Sequence, residues 1–184
     1  MARTPSNMLP LNSKIEEFKL FDTTTSQMRS LSEITSQRPF VVMFICNHCP
    51  FVIHLHQGLK EVIEQYKAEI DFIAISSNDS EKYPLDRPEL MTDLFLELDI
   101  NIPYLYDEEQ EVAKQLKAAC TPDFYLFDES KVLVYRGQFD ESRPESDVAV
   151  TGQDLRIAIE LSLKGRVVAE EDQKPSIGCN IKWR

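Results

Sequence analysis

An α/β sandwich, three layers deep with a mixed β-sheet between helices, is the fold class the sequence predicts. Three observations point there. Residues 40–45 (Phe-Val-Val-Met-Phe-Ile) are apolar without alternation, which suits a strand buried on both faces. Apolar runs alternate with helical patterns through the middle of the chain, as in βαβ units, so the central strands should run parallel with right-handed crossovers. Two-strand patterns with polar turns flank that alternation and add antiparallel strands.

Residues 1–14 read as an irregular arm, residues 15–165 as one domain and residues 166–184 as a tail docked on it. Glu17-Phe18-Lys19-Leu20 and Met28-Arg29-Ser30-Leu31 flank a Thr-rich turn and predict an N-terminal hairpin, after which Ser32 and Glu33 lead into a short turn or helix. Following the central strand, Phe51, Leu55, Leu59, Val62 and Tyr66 recur on one face of a helix that Pro50 can open. Residues 70–76 form the next strand, residues 78–88 a surface loop, and Leu90, Leu94 and Leu98 mark a helix. A short strand at 103–106 precedes a helix carrying Val112, Leu116 and Ala119, with Asp107 and Gln110 as its capping box. Strands at 124–127 and 132–135 are joined by a four-residue hairpin turn. Thr151 and Asp154 cap the last helix, with Leu155, Ile159 and Leu163 as its apolar face and Gly165 as its stop.

With 184 residues and 42% hydrophobic content the chain suits a single domain with a real core. Acidic residues outnumber basic ones, 31 to 20, for a formal charge of −11, which argues against nucleic acid and anionic membrane as partners. Neither a signal-like segment nor an apolar stretch approaching the ~20 residues of a membrane span is present, so a cytoplasmic protein is expected. In a reducing compartment, four cysteines favour chemistry over staples.

The chemistry centres on Cys46-Asn47-His48-Cys49-Pro50, where the buried strand meets the helix. Unpaired N–H groups and the positive end of the helix dipole stabilise an anion there, and a thiolate is an anion. Cys46 is assigned as the nucleophile and Cys49, on the same face, as the resolving thiol. A protonated His48 beside them should help hold Cys46 below the free thiol value of about 8.5. His54 and His56 point about 200° apart on a helix and cannot both join the two cysteines around zinc. No metal and no cofactor is expected.

Three stretches carry a resemblance: residues 46–52 (Cys-Asn-His-Cys-Pro-Phe-Val), residues 121–128 (Thr-Pro-Asp-Phe-Tyr-Leu-Phe-Asp) and residues 175–183 (Pro-Ser-Ile-Gly-Cys-Asn-Ile-Lys-Trp). From about Ile15 to the C-terminus the chain resembles the thioredoxin superfamily, and within it the peroxiredoxin-like redoxin proteins of bacteria. The resemblance implies a thioredoxin-like sandwich and a cis Thr121–Pro122 bond, with backbone near Thr121 presented for strand-like pairing with substrate. It also implies thiol–disulfide exchange with a protein or small-molecule disulfide and a thiol electron donor. Cys120 and Cys179 are further candidate thiols, and the tail with the sole tryptophan, Trp183, is expected to dock.

Two rival readings stand beside this one. Peroxiredoxins would match Cys49-Pro50, but their pattern places Pro and Thr or Ser where this chain has Val42 and Cys46, and no arginine can be placed beside the site. A redox-responsive binding module without turnover is the other. Two thioredoxin features are missing as well: Phe40 stands where a buried acid would be, and Ile45 where a tryptophan would be.

Overall fold

The structure is a computed structural model and describes residues 3–184. It contains strands β1 (Thr4–Pro5), β2 (Lys19–Asp22) and β3 (Gln27–Ser30), the short helix α1 (Leu31–Ile34), strand β4 (Phe40–Phe44) and the long helix α2 (Pro50–Tyr66). Then come β5 (Asp71–Ser76), α3 (Pro88–Leu98), β6 (Tyr104–Tyr106), α4 (Glu111–Gln115), β7 (Cys120–Thr121), β8 (Asp123–Phe127), β9 (Leu133–Gly137), α5 (Gln153–Ser162) and β10 (Ile177–Asn180).

The main sheet has seven strands in the order β3-β2-β6-β5-β4-β8-β9. Its centre, β4, β5 and β6, is parallel, and both flanks are antiparallel, which is the mixed sheet expected of a thioredoxin-like sandwich. Side chains alternate across a strand, so an unbroken apolar β4 must feed two cores. It does. Val41 and Met43 pack with α2, α3 and α5, while Phe40, Val42 and Phe44 pack on the other face with Leu31 of α1 and Val112 of α4.

Several local expectations change in the folded chain. Glu33 reaches back to the Ser30 N–H at 2.7 Å, so α1 begins at Leu31 with Ser30 as its N-cap. The buried side of α3 is Met91 and Phe95, with Leu94 and Leu98 half-buried and Leu90 exposed, because the sheet meets the adjacent face. Asp107 does cap α4, accepting from the N–H groups of Val112 and Ala113, but Gln110 does not close the box. Its amide spans the carbonyls of Ser77 and Lys182 instead. The N-cap of α5 is Gly152, whose N–H, like that of Thr151, is taken by Asp140. Leu163 is partly exposed at its end, and Gly165 adopts the positive φ of 66° that a helix stop needs. The loop at 78–88 is anchored from inside, since Asn78, Asp79 and Asp86 are buried.

Both chain ends are tied down by backbone pairing. A second, three-stranded sheet has the order β1-β10-β7, so part of the arm read as irregular is a strand; Met1 and Ala2 lie outside the described residues. Beyond β10 the tail docks through its main chain: Lys182 donates to Asn78 Oδ1 at 2.8 Å and accepts from the Asp79 N–H at 2.8 Å, and the Arg184 N–H reaches Gln110 Oε1. Trp183 is 42% exposed and is not the anchor.

Asp123 fastens the N-terminal arm to the core. Fully buried, its Oδ2 accepts from Ser6 Oγ at 2.9 Å and Tyr125 Oη at 2.8 Å, and burial pushes its pKa up to about 7. The native state therefore holds this proton more tightly than the unfolded chain, where the value is about 3.9. Stability linked to Asp123 is full below about pH 4 and is lost as pH rises through about 7. Urea denaturation at about pH 5 and about pH 8 should show a loss in the wild type that Asp123→Asn largely removes; an equal loss in both proteins would contradict the assignment.

Candidate functional site

The end of β4 and the start of α2 bring Cys46 and Cys49 together beneath β7. Pro50 occupies the first position of α2 and Cys49 is its N-cap, with extended φ and ψ. Both cysteines are buried, at 1% and 0% exposure, and all four in the chain are free thiols. Cys46 Sγ lies 3.4 Å from Thr121 Oγ1, and Cys49 Sγ lies 3.2 Å from the Thr121 carbonyl oxygen. The Thr121–Pro122 bond is cis, as the thioredoxin resemblance implies.

The two thiols also share a hydrogen bond with each other, and that bond decides where charge resides. The proton of Cys46 points at Cys49, and further hydrogen bonds from Cys179 and from backbone N–H groups outweigh burial. They hold the Cys49 thiol at about 5, far below its ordinary range. Cys46 moves the opposite way. Its bond to Cys49, its burial and the nearby Asp86 carboxylate all push its pKa well up. Hydrogen bonding thus favours negative charge on Cys49 and disfavours it on Cys46.

His48 sits beside Cys46, a ring nitrogen and the Cys46 sulfur lying within 4.8 Å of each other, and it is held there by Asp86: its Nδ1 lies 2.8 Å from Asp86 Oδ2, and its ring lies parallel to Tyr83 with centroids 6.0 Å apart. Asp86 is fully buried, accepts from the Asn47 N–H at 2.9 Å and from Asn78 Nδ2 at 2.8 Å, and so clamps the CxxC turn to the 78–86 loop. The neighbours of Cys46 thus include a carboxylate as well as the imidazole that it holds.

A correction concerns Thr121. Its backbone, expected to face substrate, already pairs with the protein's own β10, in the register Cys179↔Thr121 and Asn180↔Cys120. Gly178 makes this approach possible: a Cβ there would stand 2.0 Å from the Thr121 carbonyl oxygen. Cys179 shares a hydrogen bond with Cys49, whereas Cys120 is turned away, its thiol directed at the Pro122 carbonyl 3.7 Å off and its pKa pushed far up by burial and Asp123.

The model of the family described as Redoxin matches residues 10–155. The chain belongs to the Redoxin family. No curated protein matches it. Among solved structures, this Redoxin is similar to an uncharacterised conserved protein from Geobacillus kaustophilus, with 48% identity and TM-score 0.96 over 100% of this chain and 97% of that one. A hypothetical protein from Sinorhizobium meliloti 1021 follows at 40% identity and TM-score 0.94, covering 98% of each chain. Peroxidoxin BcpB from Mycobacterium tuberculosis shares the fold at 16% identity and TM-score 0.63, over 84% of this chain and 96% of that one.

Within this Redoxin, His54 and His56 stay apart from the cysteines. His54 Nε2 meets Ser142 Oγ at 3.1 Å, and His56 faces Glu97, with burial lowering its pKa. A different trio, Cys46, His48 and Asp86, places three possible ligand atoms within 4.8 Å of one another. Both oxygens of Asp86 already accept hydrogen bonds from Asn47 and Asn78, so the trio reads as a clamp on the turn. A cleft of about 860 Å³ between the hairpin and α4, lined by Phe18, Leu20, Met28 and Tyr106 among others, includes none of the four cysteines. Among the described residues, no helix is long and apolar enough to cross a membrane.

Sequence reasoning missed Asp86 and Gly178. Asp86 stood in a charged loop with no pattern to mark it as buried, and a lone glycine in a tail names no partner.

Ultraviolet absorbance of the thiolate, followed against pH in the reduced protein, should show one thiolate forming well below the free value of about 8.5. Cys49→Ser should abolish that titration and Cys120→Ser should leave it. Asp86→Asn removes the anion beside Cys46 and should lower the upper thiol titration. An early titration that survives Cys49→Ser would place the charge elsewhere.

Proposed function

We propose that this Redoxin is a thiol–disulfide oxidoreductase in which Cys46 and Cys49 cycle between dithiol and disulfide without a metal or organic cofactor. The observation that carries the reading is the hydrogen bond shared by the two thiols at the start of α2. Membership of the Redoxin family supports it.

Hydrogen bonding favours negative charge on Cys49 and disfavours it on Cys46. A thiolate is the attacking species, and a thiolate of higher pKa is intrinsically the stronger nucleophile. Cys46 becomes the attacking thiolate when its proton passes along the shared bond to Cys49. Cys46 attacks a substrate disulfide, whose S–S bond breaks; the released substrate thiolate takes the proton now on Cys49. Cys49 then attacks the Cys46 sulfur, forming the internal disulfide and releasing the second substrate thiolate. Two electrons have passed to the substrate, and a thiol donor returns them. Asn47, His48 and Pro50, all partly exposed, are the neighbours of the thiols that meet solvent. The substrate is a protein or small-molecule disulfide that reaches Cys46 past these residues.

In Cys49→Ser a mixed disulfide should persist on Cys46, and mass spectrometry of the trapped adduct would identify the substrate. Adducts that collect instead on Cys49 in Cys46→Ser would reverse the two roles.

One observation favours a second reading, peroxide reduction: the stabilised thiolate on Cys49, directly before Pro50. There the Cys49 thiolate would be oxidised to a sulfenic acid and the peroxide reduced to alcohol or water. The Cys46 thiol would then condense with the sulfenic acid, losing water and giving the same disulfide. Val42 and Cys46 replace the Pro and Thr of the peroxiredoxin pattern, so hydrogen peroxide should oxidise the protein slowly relative to disulfide exchange. Stopped-flow oxidation of the reduced protein decides it: a fast reaction that Cys49→Ser abolishes and Cys46→Ser spares would install the peroxidase reading.

A further inference from the structure

Cys179 is delivered to the CxxC from the far end of the chain. In the β10–β7 pairing it lies opposite Thr121, the residue whose carbonyl oxygen is 3.2 Å from Cys49 Sγ. Cys49 shares hydrogen bonds with both Cys46 and Cys179 and is thus the middle of three thiols. The placement of Cys179 is held firmly. On one side Ser6 N–H donates to the Ser176 carbonyl at 2.8 Å, on the other Lys182 is bonded to Asn78 and Asp79, and Gly178 lets β10 close on Thr121.

We propose that Cys179 is a third redox thiol, which exchanges with the Cys46–Cys49 disulfide to give a Cys49–Cys179 disulfide and a free Cys46. The first disulfide comes from the dithiol reading above, on which this proposal rests. In the exchange the Cys179 sulfur attacks Cys49, the Cys46–Cys49 bond breaks as the Cys49–Cys179 bond forms, and the proton of Cys179 goes to the departing Cys46. No electrons enter or leave, so no further reactant is required. Exchange runs through a mixed-disulfide geometry in which the attacked sulfur stands between attacker and leaving group, and Cys49 is the thiol so flanked. Cys120, although next to Thr121 in sequence, is directed at Pro122 and takes no part.

The product staples β10 to the start of α2 while returning Cys46 as a thiol. A chain that has lost two electrons would thus still offer a nucleophile at the CxxC, and its C-terminal strand would be covalently locked over Thr121.

The test is non-reducing peptide mapping after diamide treatment and acid quench, in the wild-type protein, Cys46→Ser, Cys179→Ser and the Cys46→Ser/Cys179→Ser pair. Cys46→Ser should yield a linked peptide joining Cys49 to Cys179, absent from the double variant. The wild type should yield both isomers, with part of its Cys46 open to alkylation, whereas Cys179→Ser should yield the Cys46–Cys49 link alone. If Cys46→Ser keeps its cysteines free and the wild type shows only Cys46–Cys49, Cys179 is no redox thiol and the dithiol reading survives. A Cys49–Cys179 link in a wild type that never joins Cys46 to Cys49 would sink the dithiol reading and the exchange together, leaving a different resolving pair. The wild-type arm holds the answer even where a variant folds poorly.

Discussion

The arrangement of the site depends on one close approach, that of Gly178 to the carbonyl of Thr121. Left unpaired, β7 beside the cis Thr121–Pro122 bond would be an open edge, a row of unpaired backbone groups. Here the chain fills that edge with its own β10, which in turn pairs with β1. Any side chain at position 178 would meet backbone, which cannot move aside as a flexible side chain can. The pairing has three effects at once: it buries Cys49, it brings Cys179 to it, and it removes Thr121 from the surface available to an incoming strand.

The electrostatics follow from that burial. A charge in a dry site is tolerated only where hydrogen bonds replace water. Cys49 has such bonds from Cys46, from Cys179 and from backbone N–H groups; Cys46 has an anion, Asp86, for a neighbour. The difference moves the pKa values of two chemically identical side chains in opposite directions. Asp86 itself is held by Asn47 and Asn78, and Asn78 also receives the Lys182 N–H, so the loop, the CxxC turn and the tail form one connected hydrogen-bonded unit.

Much of the fold was legible in the sequence because it rests on local pattern. The apolar run at 40–45, the helical repeat behind it and the hairpin at each flank specify the sandwich through burial alone. The convergence of Cys46 and Cys49 was legible too, because three-residue spacing at a helix start fixes it. What escaped is non-local. The role of His48 depended on Asp86, 38 positions away in the chain and unmarked by any periodicity. The cover over Thr121 depended on residues 177–180 returning to an edge at the far side of the sequence. Trp183 misled for a related reason: a large aromatic suggests an anchor, yet the tail is held by Lys182 and Arg184 main-chain bonds, which any sequence could make.

The central claim is that Cys49 is the sulfur common to every redox state of the site. A redox titration of the full chain against glutathione, with linked peptides identified by mass spectrometry at each step, tests it most directly. A single two-electron transition in which each intramolecular disulfide includes Cys49, and Cys120 remains a thiol throughout, is the expected result. An oxidised species in which other cysteines are paired while Cys49 stays free would contradict it.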